Sequence, residues 1–195
     1  APNQYLLLNS GTGNIGVTGA VGSSIPLIEL NVINTNSAVF NSSIDVTHMM
    51  VTDATVGVQV LGNLTAVDLA TLATANTYDF ALKGSNNKIT GADPTVLANT
   101  GTVILGDNPT DVFLFTNGLD VSDVSPADVT SVAGFIRSAG ATIHLDQVSL
   151  TANATVDTTN NGANPAGAGI NITNGSSTNG YVLNLMGGTS GTSAI

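Results

Sequence analysis

The sequence predicts an all-β protein built from short strands, and three observations carry that prediction. Apolar residues recur at every second position over short runs, as they do when an extended chain buries one face. The segments between the runs are rich in Asn, Ser, Thr and Gly, which favour turns through local side-chain bonding and tolerance of positive φ. The runs are also dense, with three of them between Leu27 and Leu64. Spacing of this kind suits a sandwich, a barrel or a solenoid and does not choose among them.

Taken in order, Tyr5 to Asn9 opens the chain as a strand closed by the turn Gly11-Thr12-Gly13. Ile28, Leu30 and Val32 alternate with Glu29 and Asn31. Ile44, Val46, His48 and Met50 alternate with Asp45, Thr47 and Met49, which places His48 inward unless a bulge at Met49-Met50 shifts the register. Val56, Val58 and Val60 form one face of the next strand, with Gly57 and Gln59 on the other. Thr65 to Ala75 is ambiguous: Thr65 with Asp68 resembles a helix cap, whereas Val67, Leu69 and the threonines suit a strand. Tyr78 to Lys83 is a short strand and Gly84 to Lys88 a turn, and Asp93-Pro94 marks a break or a single helical turn.

In the second half, Gly101 to Asp107 is a strand closed by Gly-Asp. Asp111 to Gly118 is another, apolar on both faces and therefore central or covered. Ser125-Pro126-Ala127-Asp128 carries a helix-start signature followed by Val129, Val132, Ala133 and Ile136 at helical spacing, so a short helix is expected there from local signals alone. Strands follow over Ala141 to Thr151, Ala154 to Asp157 and Ile170 to Thr173, with a Gly/Asn/Pro loop from Asn160 to Gly169 and a flexible composition from Gly175 to Gly180. Shifting Tyr5 to Thr12 onto the later phrase Tyr181 to Gly191 superposes Leu6 on Leu183, Leu8 on Leu185, Gly11 on Gly188 and Thr12 on Thr189. That likeness suggests a single repeat-built β domain over 1–195 that is about one period of a longer tandem array.

Composition excludes several function classes. Only 8% of residues are charged while 42% are hydrophobic, so the surface must be solvated by neutral Asn, Thr, Ser and Gly. With 13 acids against 3 bases the net charge is -10, and Lys83, Lys88 and Arg137 cannot form a basic patch for a phosphate backbone or an anionic membrane. Nucleic acid is therefore not an expected partner. Cysteine is absent, so core burial and backbone ladders must hold the fold together. No apolar run approaches the ~18 residues of a membrane span, so direct membrane insertion is not expected. Ala1 does not begin a signal peptide, and any export signal was removed or lies outside this chain.

The phrases Gly13 to Ser24, Gly101 to Asp107, Gly140 to Leu145, Val148 to Asn153 and Val156 to Gly162 resemble the repeats of very large bacterial β-strand-repeat surface proteins. That group is similar in style to autotransporter passengers and filamentous-haemagglutinin-type adhesins. The resemblance implies a repetitive, right-handed parallel β-solenoid (β-helix) on the cell surface, with a strand rather than a helix over Val129 to Ser138. It implies a non-catalytic extracellular structural or adhesive module that partners copies of itself, flanking repeats, or host and matrix glycans. Neither an outer-membrane barrel nor a secretion domain accompanies it here. The alternatives are a glycan-binding or glycan-cleaving β-helix, and a β-sandwich fibre subunit with one or two short helices whose N-terminal strand, Ala1 to Ser10, inserts into a neighbour.

Candidate chemistry is sparse. Asp107, Asp111, Asp120, Asp123 and Asp128 form the one acidic cluster. The first four are weak calcium candidates, since calcium needs several converging oxygens. In Gly-Asp-Asn-Pro and Ser-Pro-Ala-Asp contexts such acids more often cap turns. Glycoside cleavage needs two carboxylates facing across a sugar, and nothing in the spacing provides them. His48 reads as a buried, hydrogen-bonded side chain and His144, between Ile143 and Leu145, as a surface one; two isolated histidines make no metal site by spacing. Gly11-Thr12-Gly13 lacks the lysine of a phosphate loop, and no Gly-x-Ser-x-Gly elbow occurs, so no enzyme activity is expected.

Overall fold

The computed structural model of the chain describes residues 4–121 and 129–194. Among them are twenty strands in one continuous sheet, and every ladder between named strands is parallel. The chain is a parallel β-solenoid of about eight coils. The sandwich alternative is therefore excluded, and no described segment is helical.

Each coil contributes to three faces. The first face stacks Asn14–Val17, Ser37–Phe40, Gly57–Val60, Asp79–Leu82 and Val103–Leu105, then the opening halves of Val129–Arg137 and Gln147–Asp157, and last Ser176–Ser177. The second runs through residues 44–46 and 64–66, Asn86–Ile89, Val112–Phe115, residues 134–137 and 154–157, and Leu183–Met186. The third begins at Tyr5–Asn9, continues through residues 29–34, 48–51 and 68–71, Thr95–Leu97, Leu119–Asp120, Ile143–Leu145 and Ile170–Ile172, and ends at Ser193–Ala194.

Parallel in-register stacking brings the same inward position of successive coils into a column. On the first face Ile15, Ala38, Val58, Phe80, Val103, Thr130, Val148 and Ser176 form one such column from end to end. Its members from Ala38 to Val148 are buried, with Phe80 the bulkiest and Ala38 the smallest. Tyr78, Phe40, Phe80, Phe113 and Phe115 are the bulkiest fully buried side chains and fill the middle coils.

The eight-residue strands each bend at a corner, and this corrects the reading of His48. In Ile44–Val51 the buried residues are Ile44, Val46, Met49 and Val51, so Thr47 and His48 both face away from the core and the alternation restarts one residue late. The same skip falls at Val67-Asp68 in Leu64–Thr71, which settles that segment as strand. The register break thus lies before Met49, and His48 is exposed. Gly84 to Lys88 is also not a turn throughout: the chain turns at Gly84-Ser85 and re-enters the sheet over Asn86–Ile89. Val129–Arg137 is a strand, with Gly134 (φ 80°) at its corner, as the resemblance implies and against the helical spacing. The signature Ser125 to Asp128 that would cap such a helix lies outside the described residues.

Polar residues enter the core where a backbone group needs a partner. The Asn87 side chain accepts the Leu64 N–H (2.9 Å) and donates to the Gly84 carbonyl (2.5 Å). Asn99 accepts from the Thr71 hydroxyl (2.9 Å) and donates to the carbonyls of Tyr78 and Gly101 (3.1 Å each). The fully buried Tyr78 hydroxyl donates to the Leu72 carbonyl (2.8 Å), and burial pushes its pKa up to about 12. These buried polar groups are satisfied in the usual way; the fully buried Thr130 hydroxyl, in the first-face column, is an exception and makes no hydrogen bond among the described residues.

Two outcomes are expected. A Cβ at Gly84 would lie 2.3 Å from the Gly62 carbonyl oxygen of the preceding coil, so Gly84→Ala must push coils apart and should lower stability by about 1–3 kcal/mol in denaturant unfolding; an unchanged midpoint would contradict the tight coil contact. Tyr78 ionises more readily unfolded than folded, so its contribution to stability is intact below pH about 10 and is lost as pH rises towards about 12. An ultraviolet titration should show one late tyrosine in the native wild type that is missing from Tyr78→Phe.

Candidate functional site

The acids singled out in the sequence do not converge. Asp111 is buried at the turn between the first and second faces, where its Oδ2 accepts the N–H groups of Asp107 and Asn108 at 3.1 Å each. Both donors belong to the turn it closes, so Asp111 acts as a backbone cap. Asp107 is exposed on the same turn. Asp120 lies on the third face in register with His144, whose Nδ1 is 3.9 Å from its Oδ1. Asp123 and Asp128 fall outside the described residues. Among the described residues no group of three or more His, Asp or Glu side chains is arranged to hold a metal ion.

His48 sits at the corner between the second and third faces, in register with Glu29 below and Asp68 above. Its Nδ1 is 2.8 Å from Asp68 Oδ2, and both side chains are about half exposed. His144 faces outward from its strand, between buried Ile143 and Leu145, as its alternation predicts. Arg137 lies with its guanidinium 4.9 Å from the centre of the Phe135 ring and Nε 3.9 Å from Asp157 Oδ2.

Sequence reasoning missed Asp157. Its carboxylate is buried and accepts the N–H groups of Thr159 and Asn161 (2.7 Å each) and the Thr159 hydroxyl (2.6 Å). It thereby shapes the entry to the loop in which Asn160 and Asn161 take positive φ. The signal was Asp-Thr-Thr-Asn-Asn-Gly itself, an acid followed by turn residues at the end of an apolar run.

Surface hollows are small. One of about 220 Å³ is lined by Asp68, Asp93, Ile89, Pro94 and Val96, below the ~300–1,000 Å³ of typical small-molecule sites.

The most distinctive surfaces are the two ends. Among the described residues Tyr5–Asn9 pairs with Leu27–Asn34 alone and Asn14–Val17 with Ser37–Phe40 alone, so their outer edges carry no strand. Leu6, Leu8, Ile15, Val17 and Leu27 pack on the core from one side and stay partly uncovered on the other. At the far end Ser176–Ser177, Leu183–Met186 and Ser193–Ala194 likewise have one neighbour each, with Leu183 and Leu185 half covered. The resemblance between the two end phrases does not join equivalent faces: Tyr5–Asn9 belongs to the third face and Leu183–Met186 to the second.

No family model, no curated protein and no solved structure matches this chain.

The capping role of Asp111 predicts that Asp111→Ala strands two backbone donors and lowers stability by ~1–3 kcal/mol, and that calcium does not raise the Tm of the wild type. A calcium-dependent Tm abolished by the substitution would make Asp111 a ligand instead.

Proposed function

We propose that the chain is a non-catalytic, extracellular structural or adhesive module of a bacterial cell-surface or fibre protein, which associates with copies of itself or with flanking coils through its strand edges. The observation that carries this reading is the parallel ladder that runs through every described coil: its outermost described strands, Tyr5–Asn9 and Leu183–Met186, have one neighbour each beside half-covered leucines, so the same ladders can take a further coil, of this chain or of another. An uncovered edge is a template for another chain, and stacking on further coils satisfies it. One flank fits the same role: outward positions Ser131, Ser149 and Ser177 form an uncharged, hydrogen-bonding column on the first face.

A second reading, a glycan-binding or glycan-cleaving β-helix, draws on the hollow that Asp68 and Asp93 line, with His48 beside Asp68. Two carboxylates beside one hollow are the minimum for such chemistry, though this hollow is smaller than a typical small-molecule site. Two measurements separate the readings. Negative-stain microscopy across a concentration series should show unbranched filaments that lengthen with concentration, and a glycan screen with hydrolysis assays should be unaffected by Asp68→Asn or Asp93→Asn. Glycan binding or cleavage abolished by either substitution would replace the structural reading with the second one.

A further inference from the structure

We propose that a hollow on the first face, built around Ala81, binds one neutral sugar ring. The site is separate from the strand edges and from the hollow beside Asp68. It rests on the adhesive side of the reading above and adds the place and the chemistry of the ligand.

The hollow follows from the register of the sheet. Val39, Gln59, Ala81 and Ile104 point outward from four successive coils, one above another at intervals of ~4.8 Å. Ala81 has the shortest side chain of the four, and its neighbours rise over it: it is only 1% exposed although it stands in register with exposed Gln59 and takes no part in the core. Beside it Gly57, in register with Asp79, has no side chain. The next coil keeps it so, because a Cβ there would lie 2.8 Å from the Asp79 carbonyl oxygen. The space left over these two positions is about 220 Å³, walled by Val39 and Ile104 and rimmed by Gln59, Asp79 and Lys83.

The rim groups are unpaired. On other coils outward polar side chains bond across to a neighbouring coil, as Asn36 does with Asn14, Asn76 with Asp53 and Asn179 with Ser149. Around this hollow the side chains of Gln59 and Lys83 make no hydrogen bond or ion pair with any described residue. Asp79 Oδ1 accepts the Thr102 N–H at 2.9 Å, and its Oδ2 has no partner among the described residues. Three polar groups thus converge on one apolar-walled space with their bonding capacity unused.

Their chemistry selects the ligand. Lys83 can only donate, Asp79 can only accept and Gln59 can do both, which suits hydroxyl groups directed several ways around a ring. Val39, Ile104 and the Ala81 methyl offer a surface for the ring's C–H groups. One acid and one base make the rim electrically balanced within a chain of net charge -10, so neither an anion nor a cation is favoured. A wholly apolar ligand would strip water from the rim and return no hydrogen bonds. A free amino acid carries both charges on one carbon, whereas Asp79 and Lys83 stand four residues apart on an extended chain, about 13 Å, too far for it to meet both. The volume limits the bound part to about one ring.

The test titrates the wild-type chain with glucose, galactose, mannose, N-acetylglucosamine and N-acetylgalactosamine, read by saturation-transfer and amide-shift NMR. At least one should bind with a Kd on the order of 1 mM, which is what about a dozen heavy atoms give at ordinary ligand efficiency. It should shift the amides of Gln59, Ala81 and Lys83. Ala81→Ile fills the hollow from the outside and should weaken binding at least ~10-fold, with far-ultraviolet circular dichroism and Tm as in the wild type. Gln59→Leu and Lys83→Met each remove one bonding group and should weaken it about fivefold. Asp68→Asn should leave it unchanged. Binding of no neutral sugar at up to about ten times that concentration would overturn the proposal, as would binding that survives Ala81→Ile or is lost in Asp68→Asn. N-acetylneuraminic acid or a free amino acid bound in preference to every neutral sugar would overturn the ligand class. Filament growth of the Ala81→Ile variant should match that of the wild type, so failure of the sugar site and failure of self-association are read separately.

Discussion

The fold depends on one constraint: no coil can bury its own apolar side chains, so each must be covered by the coil before and the coil after it. Backbone ladders impose the spacing between coils, and in-register pairing then stacks equivalent positions into columns such as Ile15 to Ser176. Burial and hydrogen bonding are thereby the same event. With no cysteine in the chain and few ion pairs among the described residues, this coupling supplies the cohesion.

Uniform spacing between coils also explains where glycine and polar residues occur inside. At Gly62 and Gly84 the backbones of neighbouring coils approach too closely for a Cβ. Beside the turn at Gly84-Ser85, and at Asn99, a buried amide side chain, that of Asn87 or Asn99, supplies the donor or acceptor that nearby backbone groups lack. Asp111 and Asp157 do the same at the surface turns, with carboxylates gripping two or three donors. The acidic residues that first suggest a binding site are thus, in these two cases, parts of the scaffold.

Much of the fold was legible because period-two alternation survives wherever a strand is straight, as in Val103–Leu105 and Ile143–Leu145, although Val56, expected on one face with Val58 and Val60, is exposed at the turn before Gly57–Val60. It failed at corners. Alternation carried straight from Val46 through Thr47 puts His48 inside, whereas the bend at Thr47-His48 turns two consecutive side chains outward. Gly84 to Lys88 reads as a turn because Gly-Ser-Asn-Asn-Lys lacks apolar content, yet Asn86 to Lys88 join the strand Asn86–Ile89, where the inward Asn87 holds its place by a hydrogen bond that composition does not show. The helical spacing from Val129 to Ile136 yielded to the ladders on either side, a tertiary override of a local signal. The open ends could be argued in advance from stacking, but which side chains lie uncovered there required the register of all three faces.

Because every coil leans on its neighbours, resistance to opening should be graded along the axis, greatest where a coil is flanked by several others. Native-state amide hydrogen exchange, read residue by residue under conditions that keep the chain monomeric, tests this most directly. Protection highest around Val58, Phe80 and Phe113 and falling stepwise towards Leu6 and Leu185 is the predicted result. Equal protection in all strands, with a single opening free energy from end to end, would contradict a stack of coils stabilised by their neighbours.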